Sequence, residues 1–157
     1  MKHCFKLGMI WQGLTHDLSK YSPTEFFRGV KYYQGVRSPN DYERELNGYS
    51  VAWIHHKGRN KHHFEYWNDL DMKIHEYKSV KMPIKYVKEM FCDRLAASKT
   101  YLKDKYTDSS ALEYFVMKKA KDLMHEETAN LLFSWLTLLA EQGEKKAFKA
   151  IKKQKEY

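Results

Sequence analysis

Ile84, Val87, Phe91, Leu95, Ser98 and Leu102 fall on a single stripe at helical spacing. Met90, Cys92, Ala96 and Ala97 widen that stripe almost all the way round. A helix apolar on most sides is a central, buried one, so the segment opened by Pro83 and running to about Lys103 is predicted to lie in the middle of the fold. A second apolar face comes from Leu131, Leu132, Trp135, Leu136, Leu138 and Leu139 within a helix predicted over His125–Glu141.

Start and stop signals place the other elements. Gly8 separates a first helical piece from a helix over Met9–Lys20. Ser22-Pro23-Thr24-Glu25 is a start signal in which Ser22 caps, Pro23 suits the first turn and Glu25 closes a capping box. That helix is predicted to run to about Gln34, before Gly35. Ser38-Pro39-Asn40-Asp41 opens a short helix ended by Gly48, and Tyr49–Lys57 is an apolar run stopped by Gly58 and read as helix. Asn60–Met82 is the least regular stretch, expected to hold the loops. Ser110-Ala-Leu-Glu113 is a further capping box, opening a helix to about Leu123, and Gly143 precedes a basic terminal helix. The fold class expected is all-α, with about six to eight helices. It is read as one domain over 1–157, with the chemistry within 9–103 and the helices of 110–155 packed on it.

A length of 157 residues suits one domain with a hydrophobic core and leaves no room for a second. At 43% hydrophobic and 15% aromatic residues the composition is not that of a disordered chain. Cys4 and Cys92 have no framework spacing, so reduced thiols and a cytoplasmic location are the simplest reading. No apolar run approaches a membrane span, Lys6 and Gln12 interrupt any signal-peptide plan, and no membrane partner is expected. The net charge of +8 admits nucleotides or nucleic acid as partners. Much of it lies in Lys145, Lys146, Lys149, Lys152, Lys153 and Lys155, a solvated helix face.

Three groups of residues carry chemistry. In Gly13-Leu14-Thr15-His16-Asp17-Leu18-Ser19-Lys20, an imidazole followed directly by a carboxylate offers two metal ligands of different hardness. Lys20 lies one turn on, where it can meet a phosphate. The structural alternative is a capping Asp beside a core His. In His55-His56-Lys57-Gly58-Arg59-Asn60-Lys61-His62-His63, four of the eight histidines fall within nine residues, interleaved with cations. They read as metal ligands together with phosphate-binding Arg59 and Lys61, or else as a solvated basic loop. Asp93 sits on the crowded side of the central helix, where a carboxylate must be paired or bind metal. An ion pair with Arg94 is the alternative. His125 reads as a helix cap, and Tyr32, Tyr33, Trp53, Phe64, Tyr66 and Trp67 read mostly as core, with one or two available to stack on a base.

Together these groups resemble the HD superfamily of helical, metal-dependent phosphohydrolases, named for a His-Asp doublet. His16-Asp17-Leu18-Ser19-Lys20 is similar to the family's doublet motif, and His55-His56 before Gly58 resembles the His-His element of the HD-GYP branch. Met82-Pro83 and the helix to Asp93-Arg94-Leu95-Ala96-Ala97 resemble that branch's Pro-led helix with its metal-binding Asp. Gln12–Glu25, Ala52–Trp67 and Glu89–Ala97 look closer still to a bacterial and phage family of HD-like proteins that has no established substrate. Two departures stand out. No His lies between Asp17 and His55, a place His62 or His63 can fill, and the family's first His is expected farther upstream than His3.

The resemblance implies one or two divalent ions (Mn, Fe, Ni, Co or Zn) held by His16, Asp17, His55, His56, His62, His63 and Asp93. Lys20, Arg59 and Lys61 are then the catalytic cations, acting on a small phosphorylated substrate such as a nucleotide. Two rival readings keep the metal: an HD-fold di-iron oxygenase, and a non-catalytic module in which the metal is a staple and the charge serves nucleic acid or a nucleotide.

Overall fold

The computed structural model describes residues 1–157. Its helices are α1 (Lys2–Lys6), α2 (Ile10–Thr15), α3 (Pro23–Lys31), α4 (Pro39–Asn47), α5 (Val51–Lys57), α6 (Ile84–Leu102), α7 (Ser110–Met117) and α8 (Glu126–Lys153). Strands β1 (Asn68–Asp71) and β2 (Glu76–Ser79) form one antiparallel hairpin, with Asn68 opposite Ser79 and Asp71 opposite Glu76. The fold is therefore a single, mostly α-helical domain.

The hairpin corrects the expectation of loops alone through Asn60–Met82. Both strands are largely exposed, so no buried face marks them in the sequence. A Lys78–Asp71 ion pair (2.6 Å) and a Ser79–Asn68 hydrogen bond (3.0 Å) support the ladder.

α6 is the central helix. Val87, Met90, Phe91, Cys92 and Leu95 are buried on it, and they meet Leu132, Trp135, Leu136, Leu139, Phe148 and Ile151 of α8 in one core. The Phe91 ring stands edge-on to Trp135 and Phe148, with centroids 6.3 and 5.8 Å away. Buried Gly13 lets α1 approach α2, since a Cβ there would meet the Phe5 ring at 2.7 Å.

The layer that carries the histidines is fixed by a polar node. Glu43 of α4, 1% exposed, accepts from Arg28 of α3 (2.6 Å), from the Ser50 hydroxyl (2.5 Å) and from the Ala52 amide at the start of α5 (3.3 Å). A carboxylate at a helix N-terminus takes up amides that have no partner in the helix. Ser50 Oγ in turn accepts from Trp53 N at 3.0 Å, so α5 starts at a defined point and His55 and His56 emerge in its last turn.

Three expected helices end early. The one over Met9–Lys20 stops at Thr15: His16 is extended (φ −54, ψ 125), Asp17 is left-handed (φ 59), and Leu18–Tyr21 is a single 3-10 turn. The helix expected from Ser110 to Leu123 gives way after Met117, where Lys119 is left-handed (φ 50) and a 3-10 turn follows. α3 also closes at Lys31, short of Gln34.

Gly143 breaks α8 at φ 77 and ψ 168, a region essentially reserved for glycine. The break turns the last segment so that Ala147, Phe148 and Ile151 reach the core. Replacing Gly143 by Ala is expected to cost about 1–3 kcal/mol in urea unfolding, from backbone strain alone. An unchanged midpoint would show that the segment adopts another path.

Candidate metal centre

Left-handed Asp17 determines the geometry of the doublet. On a continuous helix His16 and Asp17 would diverge by about 100°. The turn at Asp17 instead aims both inward, with His16 Nε2 3.4 Å from Asp17 Oδ2. α6 supplies Asp93, whose Oδ1 lies 3.5 Å from the same His16 nitrogen. His56 from α5 and His62 from the following loop approach Asp17 Oδ1 through their Nε2 atoms, at 3.3 and 3.4 Å.

These side chains form two overlapping sets. Donor atoms of Asp17, His56, His62 and His63 all lie within 4.8 Å of one another, and so do those of His16, Asp17, His62 and Asp93. Asp17 and His62 belong to both sets. The cluster is closed at the His62 end, 2% exposed, and open at Asp93, whose side chain is 31% exposed.

Two buried carboxylates set the imidazole orientations. Glu89, one turn before Asp93 on α6, accepts from His16 Nδ1 at 3.0 Å and lies 3.3 Å from His62 Nδ1. Gln12 donates to its other oxygen at 3.0 Å. Glu25 accepts from His55 Nδ1 at 2.6 Å and from His56 Nδ1 at 2.8 Å. Holding the Nδ1 edge of an imidazole in this way directs its Nε2 lone pair at a metal. Asn60 ties the loop to the doublet turn by donating to Ser19 Oγ (2.7 Å) and to His56 O (2.8 Å).

Burial opposes every charge here, yet the partners prevail. For His16, hydrogen bonds to Asp93 and Glu89 and the charge of Asp17 outweigh burial and raise the pKa to about 10. For Glu89, hydrogen bonds from His16 and His62 outweigh burial and lower it to about 2, and His16 does the same for Asp93, also to about 2. Asp17 is held well below the ordinary carboxylate range, burial being overcome by His56, Lys20 and His16. Burial and the neighbouring His62 keep His63 neutral.

Whether a metal fits is tested by what the chain leaves unpaired. Asp17 Oδ1, His62 Nε2 and His63 Nε2 are buried with no hydrogen-bond partner, although such atoms are nearly always satisfied in folded proteins. All three belong to the first donor set. Imidazole nitrogens and carboxylate oxygens together suit Mn, Fe, Co, Ni or Zn. The residues present fit such an ion.

The structure gathers six of the seven sequence-derived ligands: His16, Asp17, His56, His62, His63 and Asp93. His55 is outside both sets, its Nδ1 bonded to Glu25. Among the three cations, Lys20 reaches the cluster, donating to Asp17 Oδ2 at 2.5 Å. Arg59 is exposed and bonds the His55 carbonyl (3.3 Å), and Lys61 is exposed over the Tyr66 and Tyr86 rings (5.8 and 5.9 Å). His3 lies against Phe148 and Glu144, and His125 occupies the N-cap of α8 without a side-chain capping bond. Trp53 packs its ring against His63 at 4.8 Å.

Glu25 and Glu89 are the residues that sequence reasoning missed. The capping-box pattern gave Glu25 a local role, and Ser22 Oγ does accept from Glu25 N (3.4 Å), but the carboxylate turns to α5 instead. Glu89 had a readable signal, four residues before Asp93 and so on the same helix face.

Fold and cluster together define a small helical protein with a buried His–Asp donor centre. Residues 1–138 match DUF5662, a family of unknown function, and the chain belongs to that family. No curated protein and no solved structure matches it.

In metal-free protein the His16 contribution to stability has a defined pH window. A pKa raised from 6.5 to about 10 stabilises fully below about pH 6.5 and is lost as pH rises through 10. With chelator present, the stability lost on His16→Gln is therefore expected to be constant from about pH 5 to 6.5 and to shrink toward pH 10. Urea unfolding at several pH values measures this, and a loss that grows with pH would contradict the ion-pair assignment.

Proposed function

We propose that this protein is a metal-dependent phosphohydrolase acting on a nucleotide or another small phosphoester. The observation that carries the reading is the convergence of six His and Asp side chains on one space, with Asp17 Oδ1, His62 Nε2 and His63 Nε2 buried and unpaired there. When bound, one or two divalent ions polarise a phosphoester and lower the pKa of water toward neutrality.

The chain's own residues do the rest. Asp17, common to both donor sets, fixes the spacing of ligands around it. Glu89 and Glu25 hold His16, His62 and His56 by their Nδ1 edges. Asp93 marks the open side, where substrate enters. Lys20 reaches that side with its side chain 61% exposed, placed to neutralise charge on phosphate oxygens in the transition state. A second reading follows from the donor set itself: four imidazoles with a shared carboxylate also suit two irons that activate oxygen.

Elemental analysis of protein purified without affinity metals is expected to find a transition metal, and Asp17→Ala is expected to lose it. A screen of nucleotides and phosphodiesters with that metal should then show turnover that chelator removes. Lys20→Ala is expected to keep the metal and slow turnover by on the order of a hundredfold. Equal metal content in wild type and Asp17→Ala would overturn the site. An oxygen-consuming product with iron alone would favour the second reading.

A further inference from the structure

The break at Gly143 makes Glu144–Lys153 a helical segment of its own at the end of α8. Lys145, Lys146, Lys149, Lys152 and Lys153 are all exposed on it. At about 100° per residue these five fall within an arc of about 120° and extend about 12 Å along the axis. Ala147, Phe148 and Ile151, buried in the core, occupy the opposite side.

No carboxylate interrupts this face. None of the five forms an ion pair, unlike Lys6 of α1 and Lys99 of α6, which hold both oxygens of Glu144. Glu141 lies before the Gly143 break, and Glu156 follows the last helical residue. Lys149 stands three or four residues from each of the other four, the spacing at which like charges weaken a helix. A face that served solubility alone would be better made of Glu and Lys in pairs of opposite sign. Nothing within the chain relieves the repulsion, and an anion from outside would.

The side chains on the face select among anionic partners. All five are lysines, point charges that meet phosphates without the two-pronged geometry of arginine. Protein interfaces are depleted in lysine and rest on aromatic and arginine anchors, none of which stands on this arc. A helix that enters a membrane surface needs a free apolar side, and here Phe148 and Ile151 are held in the core. Single strands are gripped by stacking on aromatic rings, which the face also lacks. A duplex presents a continuous row of phosphates, one charge per about 1.7 Å of axis, and requires only positive charge in return. We propose that the lysine face of the terminal helix binds the phosphate backbone of duplex nucleic acid without regard to sequence. This surface is independent of the metal reading above.

The test is fluorescence anisotropy of a labelled DNA duplex of about 20 base pairs, titrated with the full chain at about 50 to 200 mM KCl. For wild type, log affinity is expected to fall against log salt with a slope of about −4.5, the value for five neutralised phosphates. The triple variant Lys145→Gln, Lys149→Gln, Lys152→Gln is expected to show a slope of about −1.8 and to bind at least about tenfold more weakly at the lower salt. Lys73→Gln, Lys118→Gln, Lys121→Gln removes the same charge from exposed positions elsewhere and is expected to keep the wild-type slope. All six are surface positions, and melting temperatures verify that both variants fold. Equal slopes in wild type and the first variant would overturn the proposal, as would a wild type that binds no duplex at about 50 mM KCl. Tighter binding to a single strand of the same length, or binding to phosphatidylserine-containing vesicles in place of the duplex, would overturn it as well.

Discussion

Buried charge that must be balanced is the constraint on which this structure depends. Asp17, Glu89 and Asp93 are ionised within a few ångströms of one another, and low local dielectric makes each costly unless positive charge stands beside it. In the chain by itself, protons on His16 and His56, with the ammonium of Lys20, provide that charge. A divalent cation would provide it better, since it would also give Asp17 Oδ1, His62 Nε2 and His63 Nε2 the well-aligned partner that each lacks. Metal binding and folding are then linked, each favouring the other.

The fold is arranged around that demand. The hydrophobic core of α6 and α8 stands on one side and needs no charge. The histidine-bearing layer has little apolar burial of its own, so it is fixed by carboxylates: Glu43 joins α3, α4 and α5, Glu25 joins α3 to α5, and Glu89 joins α6 to the doublet and to His62. Each of these acids accepts at least two bonds, which is what makes a buried carboxylate tolerable. α6 therefore serves both halves, burying Phe91 and Leu95 in the core while Glu89 and Asp93 face the cluster.

Sequence revealed what local rules govern. The stripe from Ile84 to Leu102, the Ser22-Pro23 and Ser38-Pro39 starts and the stop at Gly48 depend on neighbours a few residues away, and they appear in the structure as helices α6, α3 and α4. What escaped depends on distant partners. Asp17 leaves the helix because its carboxylate is drawn to His56, His62 and Lys20, a cause invisible from residues 9–20. The β1–β2 hairpin has no buried face to betray it. Glu25 fits a capping box equally well whether its carboxylate turns back to its own helix or away to α5. The cluster was legible as a set of residue types, and its wiring through Glu25 and Glu89 was not, because hydrogen-bond partners across the fold have no sequence spacing.

Anomalous diffraction at a transition-metal absorption edge, on crystals of protein purified without affinity metals, tests the central claim most directly. The expected result is one or two strong peaks between Asp17, His62 and their shared neighbours, at about 2.0–2.2 Å from the donor atoms. A well-ordered cluster with no such peak, in protein whose metal is bound elsewhere or is absent after incubation with Mn, Fe, Co, Ni and Zn, would contradict it.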